Sequence, residues 1–420
     1  GGSIPFEALR LGHRVIVNEL NPVASVILAA TLDYPARHGI GLLGAIKQWG
    51  EELERTLDEK MRSFFPTCAA EVDPENPVSV ERDTSYLFCR QVTCPHCGAD
   101  APLLNSLWLS KEGEKWAVEV QPQADKRGRF EPYVLGTDGR KPDAAMLDAG
   151  TVSRGVGQCV HCHQAISGDE IKLQARGESE HGRWRDRLYC VVGIRLEPKL
   201  DKHGEIQRFA SGARKGEIKT TKVRYFRAPN DTDLQALEAA EAELEARRFD
   251  FEMKGSVPNE PITEMSNYNR GHRMYGENMW TDMFTSRQLL GHLTVTEALH
   301  DAKPKILTEL GEEKGRAVVT YLQFMIDKCI DYNCSHTRWE YTRGIIKGAF
   351  SRHNFAMQWT FGEMVFSGPS SGFRWGVSQV MDAYKGIAGL LQERHRQGLA
   401  QDALTQTLGP ATALDGIPPQ

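Results

Sequence analysis

Long apolar runs are missing from these 420 residues: no stretch reaches the roughly 18 consecutive apolar side chains that a membrane-spanning helix needs. The N-terminus also lacks a basic segment followed by an apolar one, so the protein is expected to be cytoplasmic, with no membrane partner. Neither sign of charge dominates. With 51 basic and 56 acidic side chains the formal net charge is −5, so a nucleic-acid partner would have to be held by a local patch and not by the field of the whole chain. Internal repeats and low-complexity segments are absent as well. An even cysteine count is lacking, since nine is a poor number for a disulfide framework. The chain opens Gly1-Gly2-Ser3 without a methionine, which points to a processed or partial sequence.

What remains is ordinary soluble material: 40% apolar and 25% charged residues are enough for a buried core and exclude wholesale disorder. The length predicts two or three domains. Ile4 to Leu11 has helical spacing, with Gly12 as a stop. Arg14-Val15-Ile16-Val17 reads as a buried strand, and Asn18-Glu19-Leu20-Asn21-Pro22 leads into a helix from Val23 to Leu32. That order predicts an α/β unit with a parallel sheet. Gly41 to Phe65 reads as one long amphipathic helix. From about Thr84 the pattern changes to short strands (Tyr86-Leu87-Phe88, Ser106-Leu107-Trp108-Leu109, Trp116 to Val120). Gln121 to Gly150, rich in glycine and proline, reads as loop-rich. Asp231-Thr232-Asp233 can cap a helix running to about Arg248. From Thr285 the chain reads as mainly helical. The expected domains are therefore 1–83, an α/β segment; 84–230, a β-rich insert; and 231–420, a mainly helical region.

The strongest local signal is Cys94-Pro95-His96-Cys97 with Cys159-Val160-His161-Cys162. Two such knuckles, each bringing two thiolates to a tight turn, make the four-sulfur site that structural zinc prefers. The metal ligands are expected to be Cys94, Cys97, Cys159 and Cys162; free thiols or a redox pair are the alternative. Nearby His96, His161 and His163 read as turn histidines. Closed by four ligands, the ion would be a staple and not a catalyst.

Residues 174–228 carry 14 Lys/Arg against 7 Asp/Glu, a local net of +7, interleaved with Trp184, Tyr189, Phe209, Tyr225 and Phe226. Phosphate neutralisation needs such a concentration, so this stretch is the expected DNA-binding face. A sheet edge kept soluble by its cations is the competing reading. The opening of the chain is the second chemical signal: glycines before a helix let backbone approach a nucleotide or adenosyl group, and Glu19 at the end of the next strand can accept ribose hydroxyls.

Gly1-Gly2-Ser3-Ile4-Pro5-Phe6-Glu7-Ala8-Leu9-Arg10-Leu11-Gly12, followed by the strand and Asn18 to Ala24, resembles the cofactor motifs of S-adenosylmethionine-dependent DNA methyltransferases. The nearest likeness is to adenine-specific methylases containing a zinc ribbon. Tyr275-Gly276 with Trp280 to Leu290, and Arg352 to Trp359, resemble further blocks of that family. The resemblance implies a Rossmann-like methyltransferase domain interrupted by a β-rich zinc-ribbon insert and followed by a mainly helical region. It implies S-adenosylmethionine contacts at Gly1, Gly2, Ser3, Glu19 and Asn21, a structural zinc, DNA as substrate, and methylation of the adenine amine. Other subunits of a host-defence or restriction-modification system would be its partners. Trp280, Asp282, Phe284 and Arg287 would line the cleft, or else form a helix cap and core contact. The family's Asp/Asn-Pro-Pro-Tyr/Phe motif, which holds the flipped base, occurs nowhere, and Ile417-Pro418-Pro419-Gln420 does not replace it. The chain is therefore expected to be truncated at both ends, inactive alone, and without an assignable catalytic residue. A non-enzymatic zinc-ribbon nucleic-acid adaptor is the rival expectation.

Overall fold

The structure, a computed structural model, describes residues 2–66, 81–137, 139, 142–262, 270–351, 356–368, 372–396 and 404–410. It is mixed α/β and divides into two compact units, one of residues 1–60, 294–329 and 372–420, the other of 61–293 and 330–371. Among the described residues no helix is long and apolar enough to cross a membrane.

The first unit begins with the helix Ser3–Leu11, ended by Gly12 at φ 104°. There Gly12 and His13 N–H groups return to Leu9 and Ala8 carbonyls, the left-handed stop that glycine makes easy. The strand Val15–Glu19 follows, then the helix Pro22–Leu28, capped by the Asn21 side chain and started by proline at its first position. A π-turn at Ala29–Asp33 ends that helix four residues before the expected Leu32. The expected long helix is found as Leu43–Met61 between short 3₁₀ turns. Glu19 ends a strand whose partner comes from the far end of the chain: Val15–Glu19 pairs in parallel with Leu404–Leu408, Val15 opposite Leu404 and Glu19 opposite Leu408. Leu9, Val15, Leu28, Leu32, Ala36, Leu391 and Leu404 close the core around this pair. The Tyr321 hydroxyl donates to Ala30 O at 2.6 Å.

The second unit is built on an antiparallel sheet ordered Thr220–Arg227, Arg185–Pro198, Glu81–Thr93, Thr360–Met364, with Asp100–Leu103 extending the far end of Glu81–Thr93. The strand Thr360–Met364 lies in the stretch expected to be mainly helical, as do Arg338–Glu340, Ile345–Lys347 and Leu404–Leu408. The stretch is mainly helical all the same, through Ser286–Leu310, Glu312–Tyr332 and Gly372–Leu390, and these strands of three to five residues are too short for periodicity to separate them from helix. The loop-rich stretch Gln121–Gly150 also carries regular elements: Trp116–Pro122 and Gly128–Val134 form a hairpin, and Ala144–Ala149 is a helix capped by Asp143. Pro132 is tolerated there because Gly128–Val134 is an edge strand, where a missing N–H costs no ladder bond. Gly193 has a strict role. A Cβ there would lie 2.0 Å from the Tyr225 ring, so only glycine lets that ring cross the strand and set its hydroxyl on Asp83 at 3.1 Å.

Candidate functional site

The two CxxC segments fold into copies of one turn. In the first, Cys94 N–H donates to Ala99 O and Gly98 N–H returns to Cys94 O at 2.9 Å; in the second, Cys159 N–H donates to Gln164 O and His163 N–H returns to Cys159 O at 3.0 Å. Gly98 and His163 both hold positive φ, 69° and 60°. The turns point their sulfurs at one another. Cys94 and Cys162 Sγ are 3.7 Å apart, as are Cys97 and Cys159, and all four lie within 4.8 Å. Bonds of about 2.3 Å to a tetrahedral zinc set an S–S edge of about 3.8 Å, whereas a disulfide would need about 2.05 Å. The group can hold a metal ion such as zinc. His96 instead meets Ala165 O through Nε2 at 3.1 Å, and neither it nor His161 or His163 belongs to the cluster.

Electrostatics divide the four thiols. Burial pushes the Cys94 thiol up and that of Cys159 to about 12, while the backbone N–H of Gln164 draws half-buried Cys162 down to about 7. A cation among them reverses the cost of burying thiolates. Supports for the knuckles went unread in the sequence. Buried Gln174 accepts from Thr93 N–H at 2.8 Å and donates to Thr93 O at 2.7 Å, and Lys126 donates to Cys97 O at 2.8 Å. Neither residue type carries a metal signature. Val92, Ala101, Leu103, Val152, Ile166 and Ile171 pack beneath the cysteines.

Of the expected cofactor residues, Glu19 ends the strand Val15–Glu19 and Asn21 caps the helix after it, Gly2 and Ser3 stand at the start of the first helix, and Gly1 is outside the described residues. Gly2 caps the first helix at φ 70°, with Ser3 as its first residue. Leu28 Cδ2 stands 3.2 Å from where a Gly2 Cβ would be. Glu19 Oε1 accepts the backbone N–H groups of Leu20 and Asn21 at 2.9 and 3.1 Å, and Asn21 Oδ1 accepts from Val23 and Ala24. Asn18 donates to Gly409 O at 2.9 Å, and Gly409 N–H to Glu19 O at 3.0 Å, tying the two strand ends together.

The basic stretch is less bare than its composition. Arg185 pairs with Asp100, Arg195 with Glu197, Arg214 with Glu217 and Arg224 with Glu112, and Arg227 bridges Asp83 and Asp233. The most exposed cations stand on the excursion between Pro198 and Thr220, where the Arg214 guanidinium lies 4.4 Å over the Phe209 ring. Asp282 accepts from Asn278 and Met279 N–H groups as a helical cap. Arg287 is fully buried against Glu363, Phe64 O and the Tyr86 ring. Both therefore do the work of cap and core contact. Trp280 is 38% exposed, and Phe284 meets the His292 ring edge-on. Of the block Arg352 to Trp359, residues 352–355 lie outside the described residues.

A buried polar group also went unread: His272, Glu277 and His336 converge within 4.8 Å. Burial opposes the Glu277 charge, but the His272 and His336 rings set against it, with the Arg90 guanidinium 3.5 Å from its other oxygen, outweigh that and hold the carboxyl down to about 2. In comparisons with known proteins the chain matches no family model, no curated protein and no solved structure.

Proposed function

We propose that the chain is part of an S-adenosylmethionine-dependent DNA methyltransferase acting on the exocyclic amine of adenine, with the first unit a Rossmann-like cofactor domain and the second a zinc-stapled, DNA-contacting unit. The observation that carries the reading is the parallel pairing of Val15–Glu19 with Leu404–Leu408, their carboxyl ends joined. Ligands of parallel α/β sheets bind beyond such ends. Glu19 and Asn21 stand at that end. Among the described residues Glu19 is engaged through Oε1 in its own turn, and Oε2 is the atom that would accept ribose hydroxyls. When bound, the cofactor supplies an electrophilic methyl group, and the residues of this chain bind and orient it, so that positioning and electrostatics supply the catalysis.

Photo-crosslinking with methyl-labelled S-adenosylmethionine tests this. We expect saturable label in the peptide spanning Ser3–Leu32, with Glu19→Ala weakening binding about ten- to a hundredfold, the loss of a hydrogen bond to a charged acceptor of about 1.5–3 kcal/mol. Unsaturable labelling, or equal affinity in the variant, overturns it. A second reading, a non-enzymatic nucleic-acid adaptor, is favoured by the exposed cations of the Pro198–Thr220 excursion in the same unit as the four cysteines. DNA binding without any cofactor binding would select it.

A further inference from the structure

His272, Glu277 and His336 come together through two turns of the second unit. The short helix Arg270–Met274 ends in a turn at Gly276, φ 77°, where a Cβ would lie 2.4 Å from Ala175 O. That turn folds Glu277 N–H back onto His272 O at 3.0 Å and its carboxylate onto the His272 ring. The turn before strand Arg338–Glu340, held by Thr337 Oγ1 on Gly362 O at 2.6 Å, brings in His336. His272 Nδ1 and His336 Nε2 approach the same oxygen, Glu277 Oε2, at 2.8 and 3.0 Å. All three residues are almost wholly buried.

The other nitrogen of His336 decides what this means. Nδ1 faces Ala356 O at 3.2 Å, a pure acceptor, so Nδ1 carries the proton. Nε2 at 3.0 Å from a carboxylate oxygen then needs either a second ring proton or a metal cation between the two atoms. An imidazole whose far N–H is held by a backbone carbonyl is the usual outer support of a metal-bound histidine. The spacing agrees: bonds of about 2.1 Å at right angles put neighbouring ligand atoms about 3.0 Å apart. Glu277 also borders a cavity of about 360 Å³ with Arg90, Trp184, Asp186 and Tyr275, which gives an ion a way in and leaves room for further ligands.

We propose that His272 Nδ1, His336 Nε2 and a Glu277 carboxylate oxygen bind a first-row divalent transition-metal ion that takes right-angled ligands, such as iron(II) or manganese(II), at a site separate from the four cysteines. Two histidines and one carboxylate leave coordination positions open, unlike the closed four-sulfur group. The site does not depend on the methyltransferase reading, since it stands in the other unit and uses none of the cofactor residues.

Cobalt(II) titration of the metal-free full chain tests it, because thiolate-bound cobalt gives strong near-ultraviolet charge-transfer absorption and a histidine–carboxylate site does not. The expected result is two equivalents per chain, one with and one without the thiolate bands. Glu277→Gln and His336→Gln should each lose only the equivalent without them, more than a hundredfold in affinity. Metal analysis of the protein as purified then identifies the native ion. A single equivalent in the wild-type chain, all of it thiolate-bound, overturns the proposal whether or not the variants fold. Nitrogen-15 spectra of the metal-loaded chain showing protons on both His336 ring nitrogens overturn it too, since the cation is then a proton.

Discussion

Arg227 belongs by composition to the expected DNA-binding stretch, yet its guanidinium is spent inside the protein. It donates to Asp83 Oδ2 at 2.7 Å and to Asp233 Oδ1 at 2.9 Å; those side chains are 0% and 1% exposed, while its own is 25% exposed. Arg227→Met keeps most of the apolar stem and removes the charge. Two buried carboxylates are then left with Tyr225 Oη on Asp83 and Asn230 N–H on Asp233 as their remaining partners. Removing one partner of a buried pair costs about 3–5 kcal/mol, and the partial exposure of Arg227 holds the expectation to that range although two acids are stranded. Against a typical total of about 5–15 kcal/mol, the second unit should be strongly weakened. Urea unfolding followed through the fluorescence of Trp108, Trp116, Trp184 and Trp339 measures it. Adding Asp83→Asn should recover part of the loss by removing one stranded charge. A cost below about 1 kcal/mol, or no recovery in the double variant, refutes the reasoning.

Chelating the metal should loosen both knuckles. Their ligands close loops of 62 and 68 residues, worth about 4 kcal/mol in chain entropy by the cross-link relation, and structural zinc contributes roughly 10 kcal/mol or more. Hydrogen exchange should rise at Val92–Leu103 and Val152–Arg176, and folded protein purified without zinc would contradict the assignment. Reversing Lys202 and Lys215 to glutamate should weaken binding to all DNA sequences alike and flatten the salt slope by about 2; unchanged affinity at low salt would leave a solvated sheet edge. His292 is held neutral by burial, its pKa drawn down to about 4 from 6.5, with Nε2–H on Asn333 O at 2.9 Å. The unfolded chain takes up that proton first, so stability is intact above about pH 6.5 and falls by on the order of 3 kcal/mol as pH drops toward 4. A pH–stability curve identical in His292→Gln would exclude this residue as the cause.

Local signals were legible in the sequence, and distant pairings were not. The Gly12 stop, the proline-started helix after Asn21 and the helix beginning at Asp231 each follow from a few adjacent residues, and they stand where expected. Its capping box uses Asn230 ahead of Asp233. The CxxC pairs were readable because each knuckle is complete within four residues, though nothing in their spacing revealed Gln174 as their brace. His336 meets Glu277 across 59 residues, and no local pattern marks such a contact. Arg227 misled because composition counts charges without saying which carboxylates lie beside them. Pro132 misled because a breaker in sequence is harmless on an edge strand.

The pairing of Val15–Glu19 with Leu404–Leu408 also has a timetable. Asn18 and its partner Gly409 are 391 residues apart, and ribosomes add about 5–20 residues per second. The first strand therefore waits about 20–80 s for its neighbour to be made, far longer than a helix or hairpin takes to form. Through that interval it lacks Leu404–Leu408, its partner among the described residues, and Ile16 is 46% exposed even in the finished fold. Slowed synthesis should therefore lengthen the time this strand waits and lower soluble yield through it.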